Sequence, residues 1–404
     1  MTMNKGDRIG LALVGLVALA GSAWVVHELQ GEKSPLPEPV AENGDSEARS
    51  IPESAPRDEP ADVTISAAPA LSAGSEWTLR NGQGIAALQA GELAAAVEHF
   101  EACLVAEPDE AVFQGNLAEA LARLARERYA ERDSRDDAIA LLARATELAP
   151  DRADLARLLA RWRKTAETEN GYWTDESEHF SLSFDGTRTE LMHGTGPLVV
   201  ELESAYQDYG ELFGRFPIEA GAPKIEVVLY RRAEFRELTG LGHWAGGAFD
   251  GVVRIPVEDL ARERHALALT ARHELVHAYV AAMDAGSIPA WLNEGLAQWL
   301  AVPEAGGRAL AVQRAREALA DGTYFPLSAL QTTIAAWDND DDIRRAYAQS
   351  LAFVAYIQQW YGERVLFEMV TGAGDGKPVV ESFRARAGVD LDAALTDFGG
   401  GLAR

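Results

Sequence analysis

The apolar positions of this chain change period along its length, and each change marks a different kind of segment. Ile9 to Val26 is an uncharged, mostly apolar run of 18 residues, which as a helix would be about 27 Å long, close to a hydrocarbon core. Residues 28–75 reverse that character, with ten acidic and three basic side chains, seven of the chain's 17 prolines and few large apolar residues. Such a segment buries too little surface to repay its ordering, which predicts a disordered acidic, Pro-rich linker. From residue 76 the spacing becomes helical. Gly84, Ala87, Gly91, Ala96, Phe100, Cys103 and Pro108 are placed so that small residues let two antiparallel helices approach and the proline ends the second. A second unit ends in Asp137 to Pro150, and Arg152 to Thr165 reads as a capping helix. Past residue 171 the period shortens. His179–Phe184 and Lys224–Tyr230 read as strands with a helix from Pro197 to Phe213 between them, Gly247–Pro256 as an edge strand, and Ala266–Ala282 as a helix.

These segments predict domains at 1–27 (membrane anchor or signal peptide), 28–75 (linker), 76–170 (helical repeats) and 171–404 (an α+β domain). A chain of 404 residues with 47% hydrophobic content can build two compact domains beside its flexible parts. The formal charge of −26 argues against nucleic acid or an anionic lipid surface as the main partner. The sole cysteine, Cys103, excludes an intrachain disulfide; it holds a small-residue packing position and reads as a buried structural thiol, and it leaves the compartment open. The basic flank of Lys5 and Arg8 ahead of the apolar run favours an amino terminus left in the cytoplasm and an exported body. Ala18-Leu19-Ala20 and Gly21-Ser22-Ala23 are alternative signal-peptidase sites, but the run exceeds the usual apolar core of a signal peptide. The expectation is a membrane-anchored protein with a periplasmic body, the alternative a secreted one.

The chemistry concentrates in His273-Glu274-Leu275-Val276-His277. On a helix the two histidines stand one turn apart on one face, separated by about 6 Å of axial rise, which suits two imidazoles converging on one Zn2+ ion. Glu274, rotated about 100° from His273, points into the same cleft as a general base. A third ligand is required. The metzincin pattern would place it six residues after His277, where Met283 stands, and Asp284 falls one residue late; Val280 also occupies the position where that pattern needs a glycine. Glu294 is the other candidate, seventeen positions after His277 (294 − 277), within Pro289-Ala290-Trp291-Leu292-Asn293-Glu294-Gly295-Leu296-Ala297. Ser287 can cap a new helix there, with Pro289 in its first turn. His243 and His265 read as solvated, and His27, His99, His179 and His193 have no partner at ligand spacing.

At these residues the sequence resembles the gluzincin metallopeptidases, and the Trp291–Ala297 segment is similar to that of the M1 aminopeptidases and of peptidase MA-like families often fused to tetratricopeptide repeats. The resemblance covers roughly the last 230 residues. It implies a zincin-like domain, made of a small sheet, the HExxH helix and C-terminal helices, that hydrolyses peptide bonds with a zinc-activated water. Ala245–Pro256 is similar in placement to the glycine-bounded strand along the cleft of such enzymes, which could take an extended polypeptide substrate as an added strand. Asp250 stands near the acidic position that holds a substrate amine there, without establishing exopeptidase activity. Gln298 departs from relatives that carry a carboxylate to orient a ligand histidine. Arg345–Tyr356 resembles the helix after the third ligand, and Tyr347 is the residue analogous to an oxyanion donor, with Tyr279, Tyr356 and Tyr361 competing for the role. The amino-terminal spacing resembles the tetratricopeptide pattern, its two prolines 42 residues apart (150 − 108) rather than about 34, the excess falling in Arg126–Arg135. Such repeats imply either a surface for a protein partner or a spacer. The rival to an enzyme is a repeat scaffold without turnover; zinc hydrolysis of a non-peptide amide would use the same residues.

Overall fold

The computed structural model describes residues 17–18, 76–218, 223–241, 246–283, 288–337 and 339–402. The linker lies outside these residues, as does the apolar amino-terminal run apart from Val17–Ala18. Two compact units are present, the first ending at Asn170 and the second beginning at Gly171.

In the first unit, helices α1 (Glu76–Gln89), α2 (Leu93–Ala106), α3 (Ala111–Tyr129), α4 (Arg135–Leu148) and α5 (Ala153–Glu169) each pack on the next. One of the small residues, Gly84, sits where two of these helices meet. A Cβ on Gly84 would lie 2.6 Å from the Phe100 ring, so the approach of α1 to α2 requires glycine there. Alanines and leucines fill the rest of this core, and buried Asn81 and Asn116 join α1 to α3 by a 2.9 Å hydrogen bond. Cys103 is buried with its thiol 3.7 Å from the Trp77 carbonyl, and burial pushes its pKa up, as befits an inert packing residue. The extra length between the prolines is taken up by the 19-residue α3 and a 3-10 turn at Arg132–Ser134. At its far end Tyr129 stacks on Trp162 of α5, ring centroids 3.9 Å apart.

The second unit is mixed α/β. Strands β1 (Tyr172–Glu176), β2 (Phe180–Asp185), β3 (Ile225–Tyr230), β4 (Ala248–Phe249) and β5 (Val253–Pro256) lie in the spatial order β4-β5-β3-β2-β1. The pairs β2/β3 and β3/β5 are parallel, with Leu182 opposite Val227 and Leu229 opposite Ile255, and the outer pairs are antiparallel. Val17–Ala18 pair antiparallel with Phe249 and Ala248 at the β4 edge. Side chains alternate across β3, so Val228 and Tyr230 share a face and pack on Phe235 and Leu238 of α7 (Arg232–Thr239).

Three local expectations change. The Gly247–Pro256 segment is a hairpin rather than one strand, because Gly251 takes φ +95°, a conformation that glycine adopts without steric cost, and β4 folds back on β5. Helix α6 (Thr189–Phe213) starts two turns before Pro197, which therefore lies inside it. Tertiary contacts hold that extension: Thr195 donates to Asp175 at 2.6 Å, and a Cβ on Gly194 would collide with the Leu260 side chain. Strand β1 is an additional edge strand, exposed over most of its length, and so lacks the alternation that marks a half-buried strand.

Helix α8 (Leu260–Ala282) packs on α6, on β5 and on α9 (Ala290–Ala301), while α9 packs on α11 (Asp340–Tyr361). Helices α10 (Ala305–Ala318), α12 (Glu363–Gly374), α13 (Val379–Ala387) and α14 (Leu391–Leu402) complete the unit. Among the described residues no helix is long and apolar enough to cross a membrane.

Candidate metal centre

Two crossing helices build the centre. Asp259 caps α8, its carboxylate accepting from the backbone N–H groups of Ala261 and Arg262 at 3.1 and 3.2 Å, and satisfies donors that the first turn leaves free. The helix then runs through both histidines without a break. Arg272 ties its middle to α6, with Nη1 2.9 Å from Glu201 and the guanidinium 5.3 Å from the centre of the Tyr209 ring. The Tyr209 hydroxyl donates to the Leu300 carbonyl at 2.9 Å and so binds α6 to α9 as well.

Pro289 stands at the N-cap of α9, one residue ahead of the first-turn position expected for it, and Ser287 lies outside the described residues. Gly295 brings α9 against α11: a Cβ there would sit 2.5 Å from the Ser350 carbonyl oxygen and 2.5 Å from Val354 Cγ2. Gln298 adds polar contacts, donating to the carbonyls of Glu294 and Tyr347 at 3.2 and 3.1 Å. Glu294, beside Gly295, is thereby fixed in the crossing.

The result is convergence. Nε2 of His273 lies 3.5 Å and Nε2 of His277 3.7 Å from Oε2 of Glu294, and one ligand atom from each residue falls within 4.8 Å of the other two. His273 and Glu274 are 0% exposed, His277 2% and Glu294 3%. Both ring nitrogens of His273, both oxygens of Glu274, Nε2 of His277 and Oε2 of Glu294 are buried without a hydrogen-bond partner among the described residues. Orphaned donors and acceptors at this density cost several kcal/mol unless something answers them. A divalent cation would answer one ring nitrogen of each histidine and Oε2 of Glu294, because it accepts imidazole lone pairs and carboxylate charge together, and two histidines with one glutamate are a zinc donor set.

The electrostatics agree. Burial raises the Glu294 carboxyl well above its ordinary range, and burial together with the charge of Glu294 does the same to Glu274. Burial also lowers His273, with a contribution from His277, and brings His277 down to about 4 against the hydrogen bond it donates to Asn293. Burial thus disfavours the charged imidazolium at both positions, and the neutral ring is the form that binds a metal.

Asn293 was not singled out by its sequence position. Its Oδ1 is 2.9 Å from Nδ1 of His277, so Nδ1–H donates and Nε2 is left as the metal-facing lone pair. The helical phase of Asn293 beside a ligand was the available signal. Gln298 is occupied with backbone carbonyls instead. Tyr347 is fully buried on α11 with its carbonyl turned to Gln298 of α9. Its competitors are engaged elsewhere: Tyr279 donates to the Tyr206 carbonyl, Tyr356 packs on Phe353 and Phe398, and Tyr361 on Phe383. Asp250 is paired with Arg254 at 3.2 Å, and Arg254 in turn reaches the Tyr230 hydroxyl, so its charge is already answered. His179 pairs with Glu203 at 2.6 Å, away from the centre, and His265 is exposed. His243 lies outside the described residues.

No curated protein matches the chain. Residues 241–399 match the model of a family described as the Peptidase MA superfamily, a span that contains β4, β5 and both ligand-bearing helices and supports a gluzincin-type, peptidase-like domain.

Proposed function

We propose that this chain is a zinc-dependent peptidase, exported and tethered to the membrane by its amino-terminal segment. The observation that carries the reading is the convergence of His273, His277 and Glu294 through buried atoms that no described residue satisfies, with the Glu274 carboxylate beside them. His273, His277 and Glu294 would hold the ion, which supplies Lewis acidity toward a water and the scissile carbonyl. Glu274 takes the proton released as that water attacks the peptide carbon and passes it to the departing amine, so its carboxylate is regenerated. Tyr347 is the proposed donor to the oxyanion. The edge of β4, where Val17–Ala18 pair in the structure, is the proposed seat of an extended polypeptide, which would take the place of that segment as the added strand.

A scaffold without turnover accounts less well for Glu274, since a general base beside a ligand set serves no purpose in binding alone. The helical first unit is proposed to be tetratricopeptide-like, serving as a partner surface or spacer, supported by the glycine-mediated contact of α1 and α2. Tethering and export are supported by Lys5 and Arg8 ahead of the 18-residue apolar run, which as a span would have to release Val17–Ala18 from the β4 edge.

Metal analysis of the purified full chain should find one zinc per molecule, lost in His273→Ala and in Glu294→Ala, and a peptide-library screen should reveal cleavage that a chelator stops. Absence of stoichiometric zinc under metal-replete conditions would sink the reading. A reporter fused after Arg404 should be active outside the cytoplasm; activity confined to the cytoplasm would remove the exported topology and leave the metal site untouched.

A further inference from the structure

Gly247 immediately precedes β4, and a Cβ built on it would lie 2.3 Å from Oε1 and 2.9 Å from Cδ of Glu274, and 2.9 Å from Cγ2 of Thr270. Thr270 and Glu274 are one turn apart on α8, so the backbone at the start of the edge strand is laid across the face of the helix that presents the base. Both side chains are buried, Thr270 at 5% and Glu274 at 0% exposure, so a methyl group at 247 could be admitted only by displacing one of them inside the packed site. The backbone of Gly247 is outside the left-handed region, unlike that of Gly251 at φ +95°. Space rather than conformation is therefore what demands glycine at 247. Among the described residues neither Glu274 oxygen has a hydrogen-bond partner, so the contacts the structure gives that carboxylate here are steric ones.

We propose that Gly247 is a positioning residue for the hydrolysis assigned above: its missing side chain leaves the Glu274 carboxylate the only place from which it can serve both the water and a polypeptide lying along β4. The inference rests on the hydrolase reading for its catalytic half and on the Gly247–Glu274 contact for its structural half, and the two are read by different measurements. A methyl group at 247 pushes the carboxylate off that place while leaving His273, His277 and Glu294 untouched. Misplacement of a reacting group by about 1 Å costs on the order of 10²-fold in rate.

The test uses the full-length, zinc-loaded protein and four variants: Gly247→Ala, Glu274→Asp, their combination, and Gly247→Ala combined with Thr270→Ser. Melting temperature, zinc content and peptide cleavage are measured for each. Gly247→Ala should keep its zinc, melt lower than the parent and lose about 10²-fold in kcat with KM little changed. Glu274→Asp, whose carboxylate is drawn back by one methylene, should restore most of the melting temperature lost in Gly247→Ala, whereas Thr270→Ser should not. If Gly247→Ala does not fold, recovery of folding by Glu274→Asp supports the proposal, and failure of both overturns it. Rescue by Thr270→Ser alone, or an unchanged kcat in Gly247→Ala, also overturns it. A parent protein that cleaves no peptide while Glu274→Asp still rescues melting removes the hydrolase reading and reduces Gly247 to a packing residue.

Discussion

Nδ1 of His277 and Oδ1 of Asn293 are 2.9 Å apart, so the residue next to Glu294 in sequence orients the imidazole that faces Glu294 in space. The hydrogen bond fixes the imidazole with its proton on Nδ1 and aims Nε2 at Glu294. One turn of α9 thus contributes a ligand and the group that holds another.

Asn293→Ala should therefore weaken zinc binding by about 10–100-fold while leaving the helices intact. Competition with a chromophoric chelator measures the affinity, and circular dichroism the fold. Equal affinity in parent and variant would mean that packing alone holds the ring.

Replacement of Glu274 by Gln keeps size and hydrogen-bonding capacity but removes the basic carboxylate. Zinc content should survive while turnover falls by about 10² or more. Tyr347→Phe should reduce turnover by less, again with full zinc, if its phenol meets the oxyanion. A Glu274→Gln protein that cleaves at the parental rate would show the mechanism to be wrong.

In the metal-free protein the site's acids and bases respond to pH in opposite directions. The histidines, lowered by burial (His277 to about 4 from 6.5), leave the folded state short of protons that the unfolded chain takes up, so their effect is a loss of stability as pH falls below 6.5. Glu274 and Glu294 are raised above 4.5, so the stability contributed by their protonated folded forms is lost as pH rises above 4.5. Zinc answers the carboxylate charge and meets histidines that are already neutral. The rise in melting temperature on adding zinc should consequently widen from about pH 5 to about pH 7.5. An increment that is flat or shrinks over that range would contradict the assignment of buried carboxylates to the site.

Arg272 is 4% exposed, and its partners Glu201 and Asp208 lie toward solvent. Because those carboxylates can rehydrate, Arg272→Ala should cost about 1–3 kcal/mol rather than the larger loss of stranding a buried charge. Denaturant unfolding of the metal-free protein reads the cost. Zinc stoichiometry at saturation should be unchanged, and its loss would mean that Arg272 shapes the ligand geometry itself.

The sequence made the ligand set legible because two one-turn-related histidines need only a continuous helix to converge, and α8 is that helix. Glu294 was legible by its place on a following helix, although the cap there is Pro289. What stayed hidden depends on distance between segments. The collision space at Gly247 and the amide at Asn293 acquire meaning only when the strand meets the helix and the helix crosses its neighbour. Pro197 misled about the start of α6 because local preference for a first-turn proline yields to the contacts of Gly194 and Thr195. Gly251 concealed a hairpin inside what read as one strand, since a single residue able to take a positive φ suffices to reverse the chain.

The contact of Gly295 with the Ser350 carbonyl has a bearing on how this protein can vary over generations. Even alanine at 295 would force α9 away from α11 and carry Glu294 with it, so a neutral change in side-chain size is closed to that position. Variation in Val354, remote in sequence but with its Cγ2 against the same glycine, is filtered through the same crossing. If the centre holds the proposed ion, drift at this crossing is constrained by the need to keep Glu294 in reach of the two histidines, and a chain freed of that need could accept a side chain at 295 before any of the three residues changed.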